Sequence, residues 1–141
     1  MQPPPRPPLE VVWEGGDRYR GGPAGGATLL VDGSGEASPS PVQALLIALA
    51  ACSAIDVVEI LRKRRTPPVA LRVGVEFTRA PSPPRRVTVV ELNYRIAGDA
   101  ERIHAERAIE LSLEKYCSVS ASLAPDTRIT WKLTLEPGAP E

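Results

Sequence analysis

From Val42 to Ile55 the chain runs fourteen residues without a charge, most of them Ala, Leu and Ile. Ala and Leu lose little conformational entropy in a helix, and a helix with no polar face has to be covered on nearly every side. The ends of this helix are well signalled. Ser40 can cap it, Pro41 suits the first helical position, and Gln43 can reach back to complete a capping box. At the far end Arg62-Lys63-Arg64-Arg65 complements the negative helix terminus, and Pro67-Pro68 prevents continuation. The whole segment predicts about 24 residues of helix, on the order of 36 Å. Its uncharged part falls short of the roughly 20 residues a membrane span needs, so the expected role is a core helix with no membrane partner.

One domain fits 141 residues, which can bury a real core. The expected division is a flexible Pro-rich lead-in over 1–8, a single domain over 9–136 and a disordered tail over 137–141. Seventeen basic and seventeen acidic residues cancel, so no global field attracts nucleic acid, and the basic run at 62–65 is read as helix termination. The N-terminus has no apolar core of the kind a secretory signal carries, which gives a cytoplasmic expectation.

Short β-prone runs at Leu9–Glu14, Asp17–Arg20 and Ala27–Val31 precede the helix, with Asp32-Gly33-Ser34-Gly35 as a turn. Period-two alternation follows at Ala70–Thr78 and Arg86–Ile96, joined by the stiff Ala80–Pro84 loop, and again at Arg128–Leu135. Between the last two lies an amphipathic helix from an Asp99 cap to about Tyr116, then a short helical turn over Ser118–Leu123. This order predicts an α+β fold, with a largely antiparallel sheet, a long buried central helix and a second amphipathic helix. One six-stranded sheet cannot cover a helix that is apolar all round. A second copy of the chain is the natural source of the remaining cover, so an obligate homodimer is expected.

Cys52 and Cys117 are the two cysteines, 65 positions apart. In a reducing compartment they are either buried apolar fillers or redox-active thiols. A reactive thiolate needs nearby positive charge. Cys52 lies too deep in its helix for the dipole to help, and Arg62 is roughly 15 Å further along the axis. Arg18 and Arg20, in a Gly-flanked segment, are the candidate cations. Asp56 shares the helical face of Cys52 and is expected to pair with an arginine or to cap a buried polar group. Cys117 differs, because a helical turn starting at Ser118 would aim backbone N–H groups at its sulfur. His104 is expected on the surface. It is too far from Cys117 along one helix for the two to share a metal, and no metal site is expected.

Ser40-Pro41 with its apolar run into Ala51-Cys52-Ser53-Ala54-Ile55-Asp56-Val57-Val58, and Leu111-Ser-Leu-Glu-Lys-Tyr116-Cys117-Ser-Val119, resemble the two cysteine motifs of the OsmC/Ohr family, nearest its less characterised OsmC-like branch. The resemblance runs from about Leu9 to Leu135. It implies intertwined homodimers with active sites at the subunit interface. It implies that Cys52 is the peroxidatic thiolate, attacking an organic or lipid hydroperoxide, and that Cys117 resolves the sulfenic acid to a disulfide. No cofactor is implied; a dithiol, lipoyl-like in relatives, restores the pair. Peroxidases of the family hold the thiolate with a glutamate at the start of the core helix and an arginine from an N-terminal strand. Here Val42-Gln43 stands where the glutamate is expected, and Arg20, with Arg18 next to it, is the candidate arginine. The rival expectations are a non-enzymatic dimeric module binding a small apolar ligand in the interface cleft, and a redox-responsive protein.

Overall fold

Residues 2–137 are described in a computed structural model, so the expected tail lies, apart from Pro137, outside the described residues. The chain forms two compact units, Met1–Leu46 and Ile47–Glu141, and the boundary falls inside the long helix α1, Pro41–Lys63.

The first unit carries the strands β1 (Leu9–Trp13), β2 (Arg18–Pro23) and β3 (Leu29–Asp32) in one antiparallel sheet, β1-β2-β3. The turn after β3 is fixed by Asp32, which is buried. Its Oδ1 accepts from the Ser34 amide at 2.9 Å and the Ser34 hydroxyl at 2.8 Å, and its Oδ2 accepts from the Ala37 amide at 2.8 Å. The backbone donors Ala37 and Ser34 hold the Asp32 carboxyl below its ordinary value. Gly22 is required by closeness, since a Cβ there would sit 2.2 Å from the Ala27 carbonyl oxygen. The capping box forms as the sequence predicts: the Ser40 amide donates to Gln43 Oε1 at 2.9 Å and the Gln43 amide to Ser40 Oγ at 3.2 Å.

The second unit carries β4 (Ala70–Arg79), β5 (Val87–Ala97) and β6 (Arg128–Glu136). Strands β4 and β5 form the antiparallel hairpin expected around the Ala80–Pro84 loop, and β6 runs parallel to β5. The single six-stranded sheet is corrected to two three-stranded sheets, since α1 separates β3 from β4 in the chain and β1–β3 pair only among themselves. Val90, Leu92, Tyr94 and Ile96 of the central strand β5 alternate into the core and are buried.

Between β5 and β6 come α2 (Arg102–Leu111), a π-helical turn (Ser112–Tyr116) and α3 (Ser118–Ala121). Two details differ from expectation. Asp99 does not cap α2; Gly98, at φ 144°, carries the chain off the strand, and Glu101 stays extended, so the helix starts two residues later. The expected continuous helix to Tyr116 widens to π geometry after Leu111, where the Cys117 amide bonds the Ser112 carbonyl at 2.7 Å, five residues back.

By length and composition α1 suffices to cross a membrane, with a mean hydropathy of 2.3 in its most apolar window. The length of the uncharged run alone therefore does not decide the matter. On its inward face Leu49, Val57 and Leu61 are fully buried, and Ser53 is buried against Tyr94 of β5. Ile47 and Ile55 remain 53% and 63% exposed on the outward stripe of the same helix. At its C-terminus Arg65 adopts φ 65°, with Thr66 N–H bonded to the Leu61 carbonyl and Arg65 N–H to that of Arg62. This is a Schellman ending with arginine in the position glycine usually takes.

Candidate functional site

The structure brings the two cysteines together in the second unit. Cys52 projects from α1 and is half-buried, and Cys117 is 3% exposed at the junction between the π turn and α3. Cys52 Sγ lies 3.8 Å from Ser118 Oγ. The Cys52 thiol is held below its ordinary value, chiefly by the Val119 backbone N–H. Burial opposes this, and hydrogen bonds from the Cys117 thiol, the Ser118 hydroxyl and the Ser118 amide add to it. The thiol of Cys117 shifts the other way. Burial pushes it up, outweighing the Ser120 amide and hydroxyl, and the neighbouring Cys52 raises it further.

The amides foreseen for Cys117 are shared with Cys52. Cys117 is the N-cap of α3, accepting the Ser120 amide on its sulfur at 3.4 Å, while the Ser118 and Val119 amides point across to Cys52. Sequence reasoning sought a cation for Cys52 because its own helix could not help. It missed the amides of a helix far along the chain. The small hydroxyl-rich run Ser118-Val119-Ser120, which allows close backbone approach, was the available signal.

Cys117 owes its position to a buried hydrogen-bond chain. Ser53 Oγ and Tyr94 Oη are 2.5 Å apart, Ser112 Oγ and Ser53 Oγ 3.0 Å, and Ser112 Oγ and Asp56 Oδ2 2.8 Å. A carboxylate only accepts, so Ser112 donates to Asp56; the same hydroxyl is also placed to donate to Ser53 Oγ, and between Ser53 and Tyr94 either hydroxyl can be the donor. Ser53, Tyr94 and Ser112 are fully buried, and burial pushes the Tyr94 hydroxyl up to about 12. Asp56 therefore caps a buried polar group, one of its two expected roles, and the group it caps opens the π turn that ends on Cys117.

The other site residues named from sequence belong to the first unit. Arg20 donates from Nε to Glu14 Oε2 at 2.9 Å and from its terminal nitrogen to Thr28 Oγ1 at 3.0 Å. Arg18 lies opposite Asp32 in the β2–β3 register and helps hold its carboxyl down. Gln43 is occupied by the capping box, and Glu14 is the carboxylate that engages Arg20. His104 lies at the surface, as expected, where its Nε2 accepts from Arg64 at 2.7 Å beside a cleft between α1 and α2.

Replacing Ser118 by Ala removes one donor to Cys52 but leaves the Val119 amide. Its expected effect is a fall of about two- to fivefold in the alkylation rate of Cys52 by iodoacetamide near neutral pH, with an upward move of the pH midpoint. An unchanged rate profile would remove Ser118 from the set that holds the thiolate.

Residues 33–132 match the family model described as OsmC-like protein. Protein YhfA of Escherichia coli K12 is 40% identical over 122 residues, covering 85% of this chain and 91% of its own. A hypothetical protein from Aquifex aeolicus VF5 superposes with a TM-score of 0.79 at 27% identity, over 92% of this chain and 97% of that one. The organic hydroperoxide resistance protein OhrB of Bacillus subtilis shares the fold, with a TM-score of 0.58 at 16% identity over 92% of this chain and 98% of its own. The two cysteine segments on their α+β frame and the match over most of the chain agree: the chain belongs to the OsmC-like family.

Proposed function

We propose that the protein is a thiol peroxidase for organic or lipid hydroperoxides. The observation that carries this reading is the opposite bias of two adjacent thiols, Cys52 held below the ordinary thiol value by the amides and hydroxyl around it and Cys117 pushed above it by burial. Cys52 S⁻ attacks the distal oxygen of ROOH and the O–O bond breaks; the alkoxide takes a proton and leaves as ROH, and Cys52 becomes a sulfenic acid. The Cys117 thiol then attacks the Cys52 sulfur, and water leaves as the disulfide forms. A dithiol reductant restores both thiols and becomes a disulfide itself.

Arg20, held by Glu14, is the proposed cation for this centre, with Arg18 next in line. The protein acts as a homodimer in the cytoplasm, the second copy covering the outward stripe of α1.

The reading is tested by intact-mass analysis and thiol titration of the reduced protein after one equivalent of cumene hydroperoxide. The expected result is stoichiometric loss of two hydrogens and both thiols, with a Cys52–Cys117 peptide link on digestion. If both thiols stay free, the peroxidase reading falls. A second reading then takes over, a non-enzymatic dimeric module for a small apolar ligand. It is favoured by Gln43, which is uncharged and committed to its cap, and by an apolar cleft of about 870 Å³ in the first unit, lined by Val11, Leu29, Val31 and Ala44.

A further inference from the structure

A cleft of about 640 Å³, within the range of small-molecule sites, lies between α1 and α2 in the second unit. Its lining includes the apolar Ile60 and Leu111, the ring of Tyr116, and the cations Lys63, Arg64 and Arg107. Of the acidic groups at or beside it, Glu59 is engaged by Arg62 at 2.6 Å, Glu101 stands 4.0 Å from His104, and Asp56 accepts the Ser112 hydroxyl at 2.8 Å. Lys63 makes no ion pair among the described residues, Arg107 has only the distant Glu110 at 3.8 Å, and Arg64 is turned onto His104.

The charge is also ordered along the cleft. Asp56 and Lys63 are seven residues apart on α1, roughly 10 Å along the axis, so a carboxylate stands at one end and the cations at the other. Cys52 is one helical turn before Asp56 on the same face.

We propose that this cleft binds an amphiphile with a single anionic head, a carboxylate or a phosphate monoester, and a medium-length apolar body. The head sits among Lys63, Arg64 and Arg107, the body lies over Ile60, Leu111 and Tyr116, and Asp56 prevents the reverse orientation.

The test is isothermal titration of the full-length reduced protein with octanoate, octyl phosphate and 1-octanol at low ionic strength. One saturable site per chain is expected, with at least one of the two anions bound about tenfold or more tighter than the alcohol. Which anion binds tighter separates a carboxylate ligand from a phosphate one. Arg64→Ala combined with Arg107→Ala is expected to bring the anion down to the level of the alcohol, and Lys63→Glu, a separate surface change, to weaken it as well. No saturable binding, equal binding of alcohol and anions, or wild-type affinity in both variants overturns the proposal. Repeating the titrations on Cys52→Ser keeps the two readings apart, since a lost hydroperoxide reaction leaves the binding result standing and a failed cleft leaves hydroperoxide consumption untouched.

Discussion

Cys52→Ser is expected to consume organic hydroperoxide at least roughly a thousandfold more slowly than the wild type, while Cys117→Ser is expected to react once and stop. The asymmetry follows from the site. Cys52 has the Val119 and Ser118 amides, the Ser118 hydroxyl and the Cys117 thiol gathered on its sulfur, and serine in its place would have no accessible anion. Cys117 is buried, with its thiol pushed up, and is expected to take part only after Cys52 has been oxidised. In Cys117→Ser the first step is intact, so one equivalent of hydroperoxide is used and a sulfenic acid persists that a dimedone adduct can trap. Equal rates in Cys52→Ser and wild type under a dithiol would sink the assignment.

The pH dependence of the first step has a defined sign. The thiolate is the reacting form and its pKa is lowered, so the single-turnover rate rises with pH and its midpoint lies below the ordinary 9.0. A midpoint at or above pH 9 would mean that the α3 amides do not act on Cys52 in solution.

The long helix was legible because every layer of its sequence agrees, from the Ser40–Gln43 capping box through the uncharged run to the basic end and Pro67-Pro68. Strand positions were legible from alternation, and β5 shows why: Val90, Leu92, Tyr94 and Ile96 face one core. Pairing was less so, because alternation says nothing about partner or direction, and β6 turned out parallel to β5. The π turn was hidden by its sequence. Ser112–Tyr116 continues a helical pattern, and only the tertiary bonds of Ser112 to Asp56 and Ser53 show what is held there. The cysteine pair came from motif resemblance, whereas the origin of the Cys52 bias, the amides of residues 66 and 67 positions later, is a long-range contact that local sequence does not encode.

Ile55→Asp is expected to convert the protein to monomers and to lower its stability. Ile55 is 63% exposed in the single chain and Ile47 53%, with Ala48 and Ala51 exposed between them, so the helix that most needed cover keeps an apolar stripe facing outward. Fully burying an isoleucine contributes about 1.5–3 kcal/mol, and a twofold interface counts each side chain twice. Losing that contact and placing a carboxylate in its position amounts to about 4 kcal/mol per dimer, roughly a thousandfold in the dimer dissociation constant. Sedimentation velocity across a dilution series reads this directly, and Lys132→Ala, a change at a solvent-facing ion pair on β6 away from this helix, serves as the comparison expected to leave the dimer intact. A wild-type dimer that survives Ile55→Asp unchanged would place the interface off this stripe, and a wild-type monomer at micromolar concentration would remove the interface altogether. The prediction also bears on the thiols: Ile55 is three residues from Cys52, less than one helical turn, so the copy that covers the stripe would also wall the approach to its sulfur. Monomeric Ile55→Asp is therefore expected to lose selectivity for bulky apolar hydroperoxides over hydrogen peroxide, even if its Cys52–Cys117 pair still forms a disulfide.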